Sequence, residues 1–440
     1  MRILFIVTAP PTTRFLSGQL AYLKARGFEP VICSAPGDRI RQTAENDRVE
    51  FYEIPMQREM QPSHDIVSLW RLFRLVRKIK PTIVNASTPK AGLLGMICAW
   101  LCRVPIRVFQ QRGLRLETCQ GMKFVILRIA EKITCLCAMR ILCNSDSIRH
   151  KMSEGKFASM EKLTVLGHGS SKGVDCLRYS INPENMLAAA TIRDQYAISH
   201  GAPVIGYVGR IVKDKGIAEL IEVFKIVLHR YPQARLLIVG KEETGDPINR
   251  ENFEWMKQNP NVILTGRCDN VIPLYNLFDV LVFPSYREGF PNVVLEAAAM
   301  GVPTVGFNAT GVVDAVADGE TGFIVPMKDT VAMADAVLKY LDDPKLRFKH
   351  GLNGRKRIIR DFQPPMLWEA YYQEYCELLR RKNIPVPVPE VEPDAEEVLV
   401  APEEDRKEFV KWYAAKEVVL KNADISDVVR VLNVECTECG

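Results

Sequence analysis

The sequence lacks any run that could cross a bilayer. Its longest apolar stretch, Ala91–Cys102, falls well short of the roughly 20 residues that a spanning helix needs. At the start, Met1-Arg2 leads straight into Ile3–Val7, too short for the apolar core of a secretory signal. The expected location is therefore cytoplasmic, at most peripheral on the inner face of the membrane. Histidine is scarce, 6 in 440 residues. His150 and His168 stand alone, and a lone histidine is more often structural than catalytic. No Asp-x-Asp triplet lies near a strand end, so neither a metal nor any other cofactor is expected. The first strand is followed by Thr8-Ala9-Pro10-Pro11 and not by the Gly-x-Gly-x-x-Gly turn of dinucleotide binders, which argues against a nicotinamide-dependent oxidoreductase. The 12 cysteines show no framework spacing. Cys98, Cys102, Cys135, Cys137 and Cys143 sit in apolar stretches and read as buried free thiols of a reducing compartment. Cys436-x-x-Cys439 is one pair without a nearby histidine and cannot complete a four-ligand zinc site within the chain. There is no nucleic-acid-binding motif either.

What is present is an ordinary globular balance, 47% hydrophobic and 25% charged, over a length that suits two or three domains. The net charge of +5 hides an asymmetry. Residues 1–180 carry 28 Lys/Arg against 14 Asp/Glu, whereas residues 383–440 carry 6 against 14. A basic first half points to an anionic partner: a diphosphate-bearing acceptor or an anionic membrane surface. Charge alone predicts weak binding to anionic vesicles, released by salt. The bland alternative is a solvated basic surface.

The hydrophobic pattern alternates short apolar strands with helix-length segments. Strands are expected at Arg2–Val7, Glu29–Ser34, Val49–Ile54, Thr82–Ala86, Ile106–Gln110, Arg140–Cys143 and Leu163–Leu166. Helices are expected at Ser17–Arg26 and Ile66–Lys80. After the Gly/Ser-rich break Gly167–Asp175 the alternation restarts. Strands are expected at Val204–Val208, Arg235–Val239, Val262–Thr265, Val280–Phe283 and Pro303–Phe307, with a helix at Gly216–Tyr231. Nearly continuous apolar strands separated by helices imply parallel sheets covered on both faces. The fold class is thus α/β, with two doubly wound Rossmann-like domains facing a cleft and ligands at the carboxyl ends of the strands. The domain limits are 1–175, 176–362, a closing helix over 363–382, and a tail over 383–440. The tail has a proline-rich linker (Pro385, Pro387, Pro389, Pro393) and an amphipathic helix at Glu403–Leu420; nothing assigns it a role.

Two segments can carry chemistry. In Gly209-Arg210-Ile211-Val212-Lys213-Asp214-Lys215-Gly216, a strand end, a helix start and the cations Arg210 and Lys215 point to one place. A helix N-terminus favours phosphate through its free N–H groups and dipole, and full charges add to that. Lys215 reads as a surface residue, and a basic turn alone is a weak signal. The segment Pro284–Glu296 is more specific. Glu288 and Glu296 are seven residues apart with Gly289-Phe290-Pro291 after the first. Each carboxylate can accept two hydroxyl hydrogen bonds, which suits sugar recognition. Glu296 is expected about two turns into a helix, where the bland reading is a surface acid.

Together and in this order, the two segments resemble those of the retaining family 4 glycosyltransferases of GT-B fold. So do Gly266-Arg267, Gly301-Val302-Pro303 and Asp318-Gly319-x-x-Gly322; the resemblance covers about residues 1–382. It implies that Arg210 and Lys215 hold the diphosphate of a nucleotide sugar, most commonly a UDP-sugar, and that Glu288 binds the transferred sugar and Glu296 the ribose. Gly209 belongs to the same turn, Gly289, Phe290 and Pro291 shape the pocket, and Gly240, Lys241 and Arg267 lie near the base. Thr88-Pro89-Lys90-Ala91-Gly92 and Arg112-Gly113-Leu114-Arg115 resemble a subgroup that acts on polyprenyl-diphosphate-linked sugars in bacterial surface polysaccharide. In that likeness Arg14, Lys90, Arg112 and Arg115 face a lipid-linked glycan acceptor. The sequence departs from relatives at Thr8–Arg14, where many have a Gly-Gly loop, at Gln110-Gln111-Arg112-Gly113, where many have a histidine, and at Lys172, where asparagine is common. The rival readings are a sugar-nucleotide epimerase of the same architecture and a non-catalytic sugar-nucleotide-binding scaffold.

Overall fold

The computed structural model describes residues 1–57, 61–243, 245–389 and 402–422. Of the tail, residues 390–401 and 423–440, with Pro393, Cys436 and Cys439, lie outside the described residues. The chain divides into two compact units, Met1–Lys172 with the helix Pro364–Arg381, and Gly173–Gln363 with the helix Pro402–Asn422.

The first unit holds a seven-stranded parallel sheet: β1 (Arg2–Ile6), β2 (Glu29–Ser34), β3 (Glu50–Glu53), β4 (Ile83–Ser87), β5 (Ile106–Gln111), β6 (Arg140–Cys143) and β7 (Leu163–Val165), in the order β3-β2-β1-β4-β5-β6-β7. β1 pairs on both sides, with Ile3 opposite Pro30 and Ile83. Every residue of β4 is buried, the polar Asn85 and Ser87 included, as a strand covered on both faces requires. Helices Pro62–Ile79, Pro89–Leu101 and Asp146–Glu154 supply one core through Leu72, Val76, Met96 and Ile148. The other core takes Leu20, Ile40, Tyr371 and Tyr375. The closing helix Pro364–Arg381 is thus part of the first unit. Asn85 Nδ2 donates to the Tyr375 hydroxyl at 2.6 Å, Tyr371 donates to Gln110 Oε1 at 2.7 Å, and Arg140 pairs with Glu374 at 2.6 Å.

The second unit holds a six-stranded parallel sheet: β8 (Val204–Val208), β9 (Arg235–Val239), β10 (Val262–Gly266), β11 (Val280–Phe283), β12 (Thr304–Phe307) and β13 (Gly322–Val325), in the order β10-β9-β8-β11-β12-β13. The edge strand β13 reads Gly-Phe-Ile-Val and is the one described strand that the hydrophobic pattern above does not include; its opening glycine belongs to the Asp318-Gly319-x-x-Gly322 turn. The ten described cysteines are free thiols; Cys102, Cys119, Cys137 and Cys268 are only half-buried. Burial pushes Cys33, Cys98, Cys143 and Cys176 up to about 12, so these are inert core thiols.

The helix Pro402–Asn422 docks on the second unit. Phe409 and Tyr413 are buried, and Tyr413 packs on Phe348 with ring centroids 4.9 Å apart. Phe409 lies against Gly301, where an added Cβ would sit 2.3 Å from the ring. Arg355, itself buried, donates Nη1 to the Ala299 carbonyl at 2.7 Å and Nη2 to the Cys176 carbonyl at 3.1 Å, and pairs with Asp405 of this helix through Nε at 3.0 Å. Part of the tail is therefore built into the domain core. Phe409→Ala should cost roughly 3 kcal/mol, the usual scale for deleting a buried ring, read as a lower urea midpoint. A shortened chain ending at Lys382 should lose at least as much. Unchanged midpoints for both would show that the helix does not dock in solution.

Candidate functional site

In the second sheet the strand order reverses between β8 and β11, which are direct parallel neighbours. Successive strands run to opposite sides from that point, so the loops leaving the carboxyl ends of β8 and β11 part and leave a crevice. The loop after β8 ends in a single 3-10 turn, Lys213–Lys215, before the helix Ile217–Arg230. The loop after β11 runs to Pro291, which caps the helix Asn292–Ala299. Gly216 lets these loops touch. Its φ is +69°, and an added Cβ would lie 2.0 Å from the Pro284 carbonyl oxygen. Two further ties hold the join: Tyr286 N–H donates to the Asp214 carbonyl at 3.1 Å, and Arg287 Nη2 donates to Asp214 Oδ2 at 2.9 Å.

At this join Lys215 Nζ donates to Glu288 Oε1, and Ser285 Oγ donates to the same oxygen at 2.9 Å. The Lys215 and Glu288 side chains are only 13% and 16% exposed. Lys215 is thus not the surface residue that the sequence suggests; it is held in an ion pair within the crevice. Glu288 N–H donates to the Thr310 carbonyl at 2.8 Å, which fixes the loop against the segment after β12. Arg210 Nη1 donates to Glu243 Oε2 at 2.9 Å. Burial works against the Arg210 charge, but the Glu243 hydrogen bond and the charges of Glu243, Asp214 and Glu288 outweigh it and raise its pKa. Beneath the turn the Tyr207 hydroxyl donates to the Arg210 carbonyl at 2.8 Å. Burial, then the Glu288 charge, push this phenol far up, so it stays a neutral donor.

Glu296 is the fifth residue of its helix, just past the first turn and not two turns in. It is buried, and the Tyr275 hydroxyl donates to its Oε2 at 3.2 Å. Burial excludes the surface-acid reading for this residue. At the neighbouring strand ends Gly240 presses on Gly209: an added Cβ would lie 1.8 Å from the Gly209 carbonyl oxygen. Lys241 is exposed there. The Arg267 side chain is 65% exposed and 3.5 Å from Asp269. Phe290 is buried against Phe362, with ring centroids 5.4 Å apart. The second unit thus brings Arg210, Lys215, Glu288 and Glu296 to the carboxyl ends of two adjacent strands. Each cation is already matched by a carboxylate, so an anion entering the crevice must compete for Arg210 with Glu243 and for Lys215 with Glu288.

In the first unit the strand order reverses between β1 and β4. Thr8 and Thr88 hydroxyls lie 2.6 Å apart across that point, and Ala91 N–H donates to Thr8 Oγ1 at 3.1 Å. The chain after β1 winds into a 3-10 helix, Pro10–Phe15. The Arg14 and Arg112 guanidinium carbons lie 5.1 Å and 4.9 Å from the Phe15 ring centroid. Nε and Nη1 of Arg112 are buried with no hydrogen-bond partner among the described residues, and burial pulls its pKa down. Buried, unmatched donors carry a high desolvation cost that an anion would relieve. Lys90 does not join them. Its Nζ donates to Asp65 Oδ1 at 2.7 Å, and its side chain is 8% exposed. Arg115 lies half-buried in the 3-10 helix Arg115–Thr118.

Residues 12–169 match the family model described as glycosyl transferase 4-like domain, and residues 202–343 that of glycosyl transferases group 1. The chain is 39% identical over 382 residues to the capsular polysaccharide biosynthesis glycosyltransferase CapM of Staphylococcus aureus, covering 87% of this chain and 98% of that one. The chain belongs to the family 4-like glycosyltransferases. It is also 24% identical over 323 residues to the UDP-Gal:alpha-D-GlcNAc-diphosphoundecaprenol alpha-1,3-galactosyltransferase of Escherichia coli, covering 72% and 81%. Among solved structures, Anabaena HepE in complex with UDP-glucose superposes with a TM-score of 0.70 at 16% identity, over 86% of this chain and all of HepE. Sucrose-phosphate synthase of Thermosynechococcus elongatus gives 0.70 at 19%, over 87% and 100%. These likenesses bear out the GT-B fold.

Family membership decides for glycosyl transfer over epimerisation and hydride transfer. The partners of the candidate residues are less visible in the sequence than the charged residues themselves. Glu243 meets Arg210 across 33 residues, Arg287 meets Asp214 across 73, and Tyr275 meets Glu296 across 21; no local spacing signals such pairs. Gly216 tests the geometry directly. Gly216→Ala should lower stability by about 1–3 kcal/mol, the scale of a forced overpacking, because neither the positive φ nor the Pro284 carbonyl can accommodate a methyl. A urea midpoint equal to that of the wild type would show that the two loops are not in contact.

Proposed function

We propose that this glycosyltransferase moves a hexosyl or N-acetylhexosaminyl group from a UDP-sugar to a polyprenyl-diphosphate-linked sugar, with retention, in the synthesis of a bacterial surface polysaccharide. The observation that carries the reading is the join of Lys215, Ser285 and Glu288 at the β8–β11 switch point, with Arg210 beside it. It sets two cations and a carboxylate side by side, which suits a charged leaving group next to a polyhydroxylated one. The CapM relative is named for capsular polysaccharide biosynthesis, and the Escherichia coli relative for a UDP-Gal donor and a diphosphoundecaprenol-linked acceptor.

In this reading the donor diphosphate draws Lys215 partly away from Glu288 and meets Arg210. Glu288 then accepts hydrogen bonds from hydroxyls of the sugar. Glu296, held by Tyr275, accepts from the ribose hydroxyls, while Gly289, Phe290 and Pro291 wall the pocket and Gly240, Lys241 and Arg267 lie toward the base. As the bond from the anomeric carbon to the phosphate oxygen breaks, its electron pair goes to the diphosphate. Preorganised cations stabilise that charge without reorganising at the moment of reaction. The acceptor hydroxyl oxygen bonds to the anomeric carbon on the same face, and its proton passes to a donor phosphate oxygen. The buried, unmatched donors of Arg112 would receive the acceptor diphosphate, with Arg14 beside them, and the acceptor lipid would lie in an anionic membrane surface.

Transfer of label from UDP-sugars to a membrane lipid extract tests the activity; release of free UDP without a lipid product would reject the acceptor. Turnover should survive excess EDTA, because Arg210 and Lys215 neutralise the leaving group. Complete loss restored by magnesium or manganese would reject a metal-free mechanism. Lys215→Ala should reduce turnover about 10²–10³-fold, the range for one preorganised charge stabiliser, and weaken donor affinity less than that. Glu288→Gln should leave UDP affinity unchanged or higher, since it releases Lys215, while use of the whole donor collapses. Calorimetry with UDP and with the UDP-sugar, beside steady-state rates, measures both. Loss of UDP binding in folded Glu288→Gln would refute the placement of the sugar pocket.

A further inference from the structure

The exposed apolar surface of the first unit gathers on neighbouring helices. The helix Gly121–Cys137 buries only Leu127, Thr134 and Cys135. Its other large aliphatic side chains stand in solvent: Met122 at 74%, Val125 at 46%, Ile126 at 45%, Ile129 at 53%, Ile133 at 39% and Leu136 at 73% exposed. At 100° per residue these six fall within an arc of about 100°, opposite the buried residues. The stripe continues onto the helix Pro89–Leu101, which packs beside it and ends in exposed Trp100 and Leu101. Pro62–Ile79 packs against that helix in turn and exposes Ile66, Val67 and Trp70.

The charge around this surface has one sign. Residues 66–138 contain thirteen Lys/Arg and two acids, Glu117 and Glu131, and neither acid is exposed. Lys123 and Lys132 are exposed and flank the apolar arc on either side. Arg71, Arg74 and Arg77 line the first of the three helices, with Arg74 stacked 4.7 Å from the Trp70 ring. Soluble monomers rarely expose contiguous apolar patches of this kind. An apolar stripe between basic flanks, with tryptophans at its edge, is the composition of a helix lying in the headgroup region of a bilayer. No described helix is long and apolar enough to cross a membrane.

We propose that the helix Gly121–Cys137, together with Trp100 of the helix packed on it and Trp70 of the next, docks the protein on an anionic bilayer by inserting its apolar stripe between the lipid headgroups. The choice of a bilayer as occupant rests on the lipid-linked acceptor reading and on the uniform positive charge. This revises the expectation from charge alone. Screening removes the lysine and arginine contribution over about 8 Å at physiological ionic strength, but it does not remove apolar insertion, so binding should be only partly released by salt.

Co-sedimentation with vesicles of phosphatidylcholine, alone or mixed with phosphatidylglycerol, tests this without donor or acceptor. Its outcome is therefore separate from that of the transfer assay. The full chain should bind the mixed vesicles more strongly than the neutral ones and keep a measurable bound fraction in about 1 M salt, where the Debye length is only about 3 Å. Ile126→Glu with Ile133→Glu should reduce partitioning at least about tenfold at every salt concentration, since each charge placed in the stripe opposes insertion. Both residues are exposed, so thermal unfolding and UDP affinity should not change. Lys123→Glu with Lys132→Glu should weaken binding chiefly at low salt. Binding that salt abolishes completely, or that is unaltered in the isoleucine variant, overturns the proposal. So does a dimer in solution that the isoleucine variant splits while the wild type ignores vesicles, which would assign the stripe to a second copy of this chain.

Discussion

The contact between Gly216 and Pro284 is the constraint on which the second unit's site depends. β8 and β11 are adjacent, but their following loops belong to segments about seventy residues apart, and only a residue without a side chain lets them meet. Once they meet, Lys215 reaches Glu288, Ser285 shares the same oxygen, and Asp214 takes Arg287. These charges would be costly to bury singly; paired and hydrogen-bonded, they can sit in a crevice that is largely shielded from water. The join is thus electrically balanced, so an anion entering it must exchange partners with Glu288 and Glu243.

The two sheets solve the same problem in different ways. Both reverse direction at a central pair of strands, which opens a crevice at their carboxyl ends. In the second unit the crevice charges are matched within the domain. In the first, Lys90 is matched by Asp65, while Arg112 keeps buried nitrogens unmatched against the face of Phe15. Two buried guanidinium nitrogens without a partner among the described residues carry a desolvation cost that an anion would relieve. The helix Pro402–Asn422 covers Gly301 of the second unit with Phe409 and pairs Asp405 with Arg355. Arg355 in turn holds the Ala299 carbonyl at the end of the helix that carries Glu296.

The two parallel sheets and the candidate residues are legible in the amino-acid order. Twelve of the thirteen described strands follow from short strand-like runs separated by helical segments; for the central ones, burial on both faces leaves little polar alternation to confuse the pattern. Arg210, Lys215, Glu288 and Glu296 stand out because their spacing is local and their chemistry is of one kind. Tertiary structure alone decided what each charge faces: that Lys215 is paired and mostly buried, that Glu296 is inside and Lys90 occupied, and that the helix Gly121–Cys137 turns its aliphatic residues to solvent. The last case shows the physical reason. An amphipathic period tells that a helix has an apolar side, but an apolar side is equally suited to a core or to a membrane surface. Only the packing of neighbouring helices shows which side the domain has already used.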